Sequence, residues 1–361
     1  TRMQTQRDPW GNILRGTLAG FAAAIGGADW ITIAPHDAAL TGGAAPLARR
    51  IARNIHIILA EESRLGQVID PAGGAWAFEA LTEALAETAW REFQSIEASG
   101  GMVSALNRGL IQSRIAESRA ERQRRVASRK RPITGVSEFA QLDETLPADE
   151  TADPAAVLEA ARQRAEAARG GDAHMAGDRF DDLVQAAGDG APVTALARGG
   201  APRAAVTALK PHRLAAPYEA LRDRADALAQ KRGRRPAVYL ACLGPLADHS
   251  ARATWLRNML AAGGIDAVQG DGMDDAAALA DAFRASGCDE AVLCGSDRAY
   301  DSKAGPAAEA LKAAGCRHLL LAGKPGDAAD AHQAAGVDGF VYLGCDSLSV
   351  LTALHERLGE Q

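Results

Sequence analysis

The stretch Pro236 to Gly264, PAVYLACLGPLADHSARATWLRNMLAAGG, decides the fold. Its apolar run, Ala237 to Leu243, has the length of a strand, and the loop GPLADHS follows it. A helical pattern then sets Leu256, Met259 and Leu260 on one face before Gly263-Gly264 ends it. Strand, loop and helix in that order make the first unit of a parallel sheet, and such sheets hold ligands beyond the carboxyl ends of their strands. His249 lies in this loop, where an imidazole could serve as a ligand. Ser250 is a candidate N-cap for the helix.

Outward from that unit the pattern repeats. Strands are expected at Ala237–Leu243, Asp266–Gln269, Glu290–Cys294, His318–Ala322 and Gly339–Leu343, with helices at 250–262, 274–286, 304–314, 327–335 and 346–358. Five such repeats predict a doubly wound parallel sheet with right-handed crossovers. With five strands, the flavodoxin-like order 2-1-3-4-5 is preferred to a Rossmann order. Neither GxGxxG nor GxxxxGK[ST] occurs, so no motif supports binding of nucleotide phosphates.

Residues 1–135 also read as α/β. DPWGNILRGTLAGFAAAIGG predicts a helix with Asp8 as N-cap and Pro9 in its first turn. DWITIAP (Asp29 to Pro35) and QVID (Gln67 to Asp70) are strand candidates, and PLARRIARNIHIILAEES is an amphipathic helix. Asp70-Pro71-Ala72-Gly73-Gly74 reads as a tight turn. The next helix closes on Gly100-Gly101. Two β-loop-α units are too few for an eight-unit barrel, so a barrel here would lie mostly before Thr1. The absence of an initiating Met, with direct entry into helical pattern, also suggests a fragment. Residues 136–235 read as a linker with helices: QLDETLPADETADP is acidic and proline-bearing. DPAAVLEAARQRAEAAR then predicts a helix with Asp153 as N-cap and Pro154 in first position. The linker is expected to wrap another surface rather than form a core. Residues 236–361 form the third domain.

Composition excludes several classes. The net charge of −6 gives no general attraction to nucleic acid or anionic membrane, and no apolar run reaches the length of a membrane span. No charged-then-apolar leader opens the chain. Arg119 to Arg131 is a basic block without aromatics for base stacking, expected to be a solvated helix end or a subunit contact. The cysteines Cys242, Cys288, Cys294, Cys316 and Cys345 form no CxxC pair and read as reduced residues near a cytoplasmic core. The histidines show no metal-ligand spacing, so no protein-bound zinc is expected.

The first segment turns this pattern into a family. DPWGNILRGT, GGAD, HDAAL, ARRIARN, EES, VIDPAGGAW and AWREFQSIEASGGM together resemble the C-terminal part of the acyl-CoA-binding barrel of methylmalonyl-CoA mutases. The likeness runs through the linker to GVDGFVYLGCDSLSVL, which resembles the small (beta) subunit of that family. It implies a C-terminal part of a (β/α)8 barrel, a helical linker and a cobalamin-binding-like flavodoxin domain.

Members that bind adenosylcobalamin carry Asp-x-His-x-x-Gly in the first loop of the last domain. By that resemblance His249 falls on the cobalt-ligating histidine, Ala247 on the aspartate and Arg252 on the glycine. Gly295-Ser296-Asp297 stands where binders carry Ser-Ser-Leu, and Gly323-Lys324 where they carry Gly-Gly. Arg252, Asp297 and Lys324 would crowd the slot for the nucleotide tail, closed by an Arg252–Asp297 or a Lys324–Asp297 ion pair. In the barrel, Ala38 follows Asp37 where catalytic chains have a glutamate facing the adenosyl ribose. His249 is then either a cobalt ligand in a degenerate motif or a leftover loop histidine, exposed or capping the helix. His36 and Asp37 are either an acid–base couple or structural.

The resemblance therefore implies no catalytic residue in this chain. It implies a non-catalytic small subunit of a heterodimeric mutase that interconverts methylmalonyl-CoA and succinyl-CoA. Its partner would be a large (alpha) subunit holding adenosylcobalamin and the acyl-CoA. The alternatives are a self-sufficient mutase binding cobalamin weakly through His249, and a regulatory or chaperone-like binding module.

Overall fold

Successive residues of a strand face opposite sides of its sheet, and the strand β1 (Ala237–Cys242) shows what that does here. Val238, Leu240 and Cys242 enter one apolar cluster, whereas Tyr239 and Ala241 enter another. A strand buried on both faces belongs to a parallel sheet covered by helices on both sides. The computed structural model that contains it describes residues 2–40, 45–146, 154–167, 180–191 and 206–359. By contacts the chain divides into two compact units, Thr1–Leu18 with Ser118–Pro147 and Pro211–Gln361, and Ala19–Glu117 with Ala148–Lys210.

In the first unit β1 is joined by β2 (Asp266–Gln269), β3 (Glu290–Cys294), β4 (His318–Ala322) and β5 (Gly339–Val341). All pairs are parallel and the order is β2-β1-β3-β4-β5, as the repeats predict. One face receives Leu256, Met259 and Leu260 from the helix Leu246–Ala262 and Leu351, Leu354 and Leu358 from the helix Ser347–Gly359. The other receives Leu279 and Phe283 from the helix Ala276–Ser286 and Tyr300, Ala304 and Leu311 from the helix Asp297–Ala313.

The differences from expectation lie at element ends. The helix expected from residue 304 starts at Asp297 and runs through Pro306, because Ser296 caps it: its Oγ accepts from Ala299 N at 3.2 Å. Strand β5 stops at Val341 rather than Leu343.

The last helix before the sheet packs on this same unit, whereas the stretch expected to wrap another surface is described only in part. The helix Ala216–Arg232 lies against Gly264, whose φ is +75°. A Cβ there would stand 2.7 Å from Ala225 Cβ, so the second glycine of the pair permits the approach as well as the turn. Around this helix a charged seam ties distant stretches together. Arg7 Nη2 lies 2.6 Å from both Asp223 and Asp226, and Arg235 Nη1 lies 2.7 Å from Asp226. Arg222, fully buried, meets Glu144 at 3.0 Å and the Gln141 carbonyl at 2.5 Å. Buried Glu219 accepts from Gln6 N at 2.6 Å and Arg213 at 2.5 Å. Within the basic block, Arg124 and Arg125 are solvated while the Arg129 side chain is buried against Glu138 at 2.5 Å.

The second unit holds the later part of the helix Gly11–Ile25 and the helices Pro46–Ile57, Trp76–Ala98, Gly101–Asn107, Pro154–Ala167 and Phe180–Gly188. The amphipathic helix ends in a π-helical turn at Ile58–Glu62. Both strand candidates are corrected. Residues 29–35 run without ladder pairing and Trp30 is 88 % exposed. Gln67 ends a 3₁₀ turn, and residues 68–70 are bends. Apolar, β-branched composition favours a strand only where a neighbour supplies the hydrogen bonds, and the described residues supply none. The turn at Asp70 is as expected: Gly73 N donates to Asp70 O at 3.0 Å. The first helix begins at Gly11, after a turn in which Asp8 adopts φ +48°. The cap expected at Asp153 lies outside the described residues.

Candidate functional site at the carboxyl edge of the sheet

The edge is built from the loops after β1, β3, β4 and β5. Gly244, at φ +73°, turns the chain after β1, and Pro245 sits in the extended region as N-cap. The helix therefore starts at Leu246, four residues before the expected start. Ser250 is inside it and does not cap it. Proline at the cap removes a backbone donor that would otherwise need a partner, and Asp248 stands in the positive first turn.

His249 consequently occupies a helical first turn and is 3 % exposed, so it is neither a loop residue nor a solvent-facing one. Its Nδ1 has no hydrogen-bond partner. The loop after β2 covers it: a Cβ on Gly272 would collide with the Gly244 carbonyl and stand 2.6 Å from His249 Cε1. Ala247 is exposed, and Asp248 sets its Oδ2 beside Gly244.

Arg252, one turn further on, crosses the edge. Its Nη1 donates to the Gly295 carbonyl, and its Nη2 pairs with Asp297 Oδ1 at 2.5 Å. The guanidinium lies 4.9 Å from the Tyr300 ring centroid, a cation–π contact. Burial pulls the Arg252 pKa down, but the bond to Asp297 and the neighbouring Tyr300 more than offset it, and the net shift is upward. Tyr300 is fixed in turn. Its hydroxyl accepts from Gly295 N at 2.9 Å and lies 3.0 and 2.9 Å from the Leu293 and Ala322 carbonyls, while burial pushes the phenol up. Of the two expected ion pairs, Arg252–Asp297 forms. Lys324 instead lies 5.9 Å from the Tyr342 ring centroid.

Arg252, Gly323 and Lys324 line two clefts. One, of about 550 Å³, adds Asp297, Tyr300 and His332; the other, of about 370 Å³, adds Trp255, Val341 and Tyr342. The aromatic lining was not anticipated from sequence. Its signal was available, since aromatics make up only 4 % of the chain and three meet here.

In the other unit, Asp37 Oδ2 accepts from Ala45 N, the N-cap residue of the helix Pro46–Ile57, at 2.9 Å. That is a helix-start contact. Burial lowers the His36 pKa, with Asp37 pulling the other way. Among the described residues, no group of three or more His, Cys, Asp or Glu side chains could hold a metal ion, and no helix is long and apolar enough to cross a membrane.

Strand order and the place of the clefts define a flavodoxin-like α/β domain with its site at the carboxyl edge. The family follows from comparison with known proteins: residues 1–209 match the family model described as methylmalonyl-CoA mutase, and the chain belongs to that family. It is 42 % identical over 357 residues to the methylmalonyl-CoA mutase small subunit of Streptomyces virginiae, covering 99 % of this chain and 49 % of that protein. To the small subunit of Propionibacterium freudenreichii subsp. shermanii it is 34 % identical over 359 residues, 98 % of this chain and 48 % of that protein. The Escherichia coli methylmalonyl-CoA mutase aligns over 135 residues at 36 % identity, 37 % of this chain and 19 % of that protein. The chain thus spans about half the length of the small subunits it matches.

Proposed function

We propose that this chain acts as the non-catalytic small subunit of a heterodimeric methylmalonyl-CoA mutase. Residues 1–135 would supply part of the acyl-CoA mutase barrel, 136–235 the linker and 236–361 a cobalamin-type domain that no longer grips its cofactor. A large subunit would hold adenosylcobalamin and the acyl-CoA and carry out the exchange between methylmalonyl-CoA and succinyl-CoA, in the cytoplasm. When bound, that cofactor supplies radical chemistry through homolysis of its cobalt–carbon bond.

The observation that carries the proposal is Arg252, joined to Gly295, Asp297 and Tyr300 across the slot a nucleotide tail would need. His249 adds to it. A ligating imidazole needs its second nitrogen held by a partner, and here Nδ1 has none, Ala247 stands where the carboxylate would be, and Gly272 packs on the ring. These residues do not fit a corrinoid. The range of the likenesses agrees, since the proteins named small subunit align along the whole chain and the E. coli mutase along about a third of it.

Two measurements test this. Co-expression with a large subunit should yield near-stoichiometric co-purification, and aquocobalamin added to the chain alone should show no spectral sign of histidine ligation. A stoichiometric corrinoid bound to the isolated chain, and lost in His249→Ala, would establish the self-sufficient mutase instead.

A further inference from the structure

Directly beneath the closed edge lie two thiols that the proposed function does not use. Cys242 ends β1 and Cys294 ends β3, and the two are register partners in the parallel ladder. Register partners point to the same face, and both side chains enter the same apolar cluster with no exposed surface. Neighbouring strands run about 4.8 Å apart, inside the Cα separation of about 4.4–6.8 Å that a disulfide spans. Both cysteines are free thiols. A hydrogen bond from Cys294 holds the Cys242 thiol below its usual range, whereas burial pushes Cys294 well up. The thiol of lower pKa is the one that attacks an oxidant.

We propose that Cys242 and Cys294 form a peroxide-sensitive dithiol: local opening at the ends of β1 and β3 lets peroxide reach the pair, which closes reversibly into a disulfide that staples the two strands under the Arg252 edge. The Cys242 thiolate attacks one oxygen of hydrogen peroxide and breaks the O–O bond, giving a sulfenic acid and, after protonation, one water. Cys294 Sγ then attacks the Cys242 sulfur, expels the sulfenic oxygen as a second water and leaves the S–S bond. Two thiols lose two electrons and two protons, and the peroxide is reduced to two waters. A small dithiol reverses the step. The other cysteines provide the internal comparison. Cys288 is more accessible and lies before β3, outside the ladder, so it can be oxidised without closing a strand-to-strand bridge.

The test uses the full chain. It is treated with hydrogen peroxide under native conditions, quenched, unfolded in an alkylating agent and mapped by mass spectrometry, with circular dichroism followed throughout. The expected product is a Cys242–Cys294 linked peptide, 2 Da lighter than the two thiol peptides together, formed without loss of secondary structure and removed by dithiothreitol. Cys242→Ser and Cys294→Ser should each abolish that linked peptide. Because either variant could fold poorly, the wild-type map decides. Alkylation of both Cys242 and Cys294 after Cys288 is fully oxidised would overturn the proposal. So would a sulfinic acid at either residue without the link, or a link that appears only as the circular dichroism signal is lost.

Discussion

The longest helix of one unit is exposed along its length, whereas the helices around the sheet of the other are not. In the sheet-bearing unit, the helices Leu246–Ala262 and Ser347–Gly359 bury their leucines, and the helix Ala216–Arg232 buries Tyr218, Leu221 and Ala225. In the other, the 23-residue helix Trp76–Ala98 buries no residue, and Trp76, Phe78, Leu81, Leu85, Trp90 and Phe93 are all at least half exposed. The helix Trp76–Ala98 is more apolar in composition than the helix Ala216–Arg232. Burial, not composition, separates a helix that contributes stability from one that merely persists.

Substitutions should sharpen that contrast. The largest effect is expected at Arg222. Replacing it by Ala removes a fully buried guanidinium and leaves Glu144 without it, at a cost of about 3–5 kcal/mol in urea unfolding. Next is Gly264→Ala, which forces a Cβ against Ala225 at a positive φ and should cost about 1–3 kcal/mol; an unchanged midpoint would show that the helix Ala216–Arg232 is not packed as described.

A pH effect comes third. Burial holds His318 down to about 4 from its ordinary 6.5. The unfolded chain therefore binds this proton first as pH falls, and the stability is present above about 6.5 and lost progressively toward 4. His318→Gln should flatten the unfolding midpoint over that window. The smallest effects belong to exposed groups. Breaking the Arg252–Asp297 pair with Asp297→Asn should cost under about 1 kcal/mol, because Asp297 is 90 % exposed. Trp76→Gln should stay within about 0.5 kcal/mol while reducing binding of a hydrophobic dye. A large loss of stability in Trp76→Gln would break the comparison.

The sheet was legible because its signal is local. Ala237 to Leu243 and Ala291 to Cys294 are continuous apolar runs, and the helix after the first shows Leu256, Met259 and Leu260 at helical spacing. The Arg252–Asp297 pair was legible too, since each residue lies in the loop-and-helix stretch after β1 or β3, two strands the sheet sets side by side. The start of the helix at Leu246 was not. Ser250 is the better capping residue by type, and only the conformations of Gly244 and Pro245 move the start upstream. The strands expected at 29–35 and 67–70 failed for another reason: a ladder depends on a neighbour, and no pattern within seven residues reports whether one is present. The charged seam was invisible for the same cause, as Arg7 and Asp223 are 216 positions apart.

That last separation has a consequence for biosynthesis. A ribosome adds about 5–20 residues per second, so once Arg7 leaves the exit tunnel Asp223 and Asp226 follow only after roughly 10–40 s. During that interval the stretch around Arg7 has Glu144, but neither Asp223 nor Asp226, as a partner. The sheet they will join is translated later still, after Pro236. Nascent chains stalled before that point should leave the stretch around Arg7 open to proteases, and those released beyond the sheet should protect it.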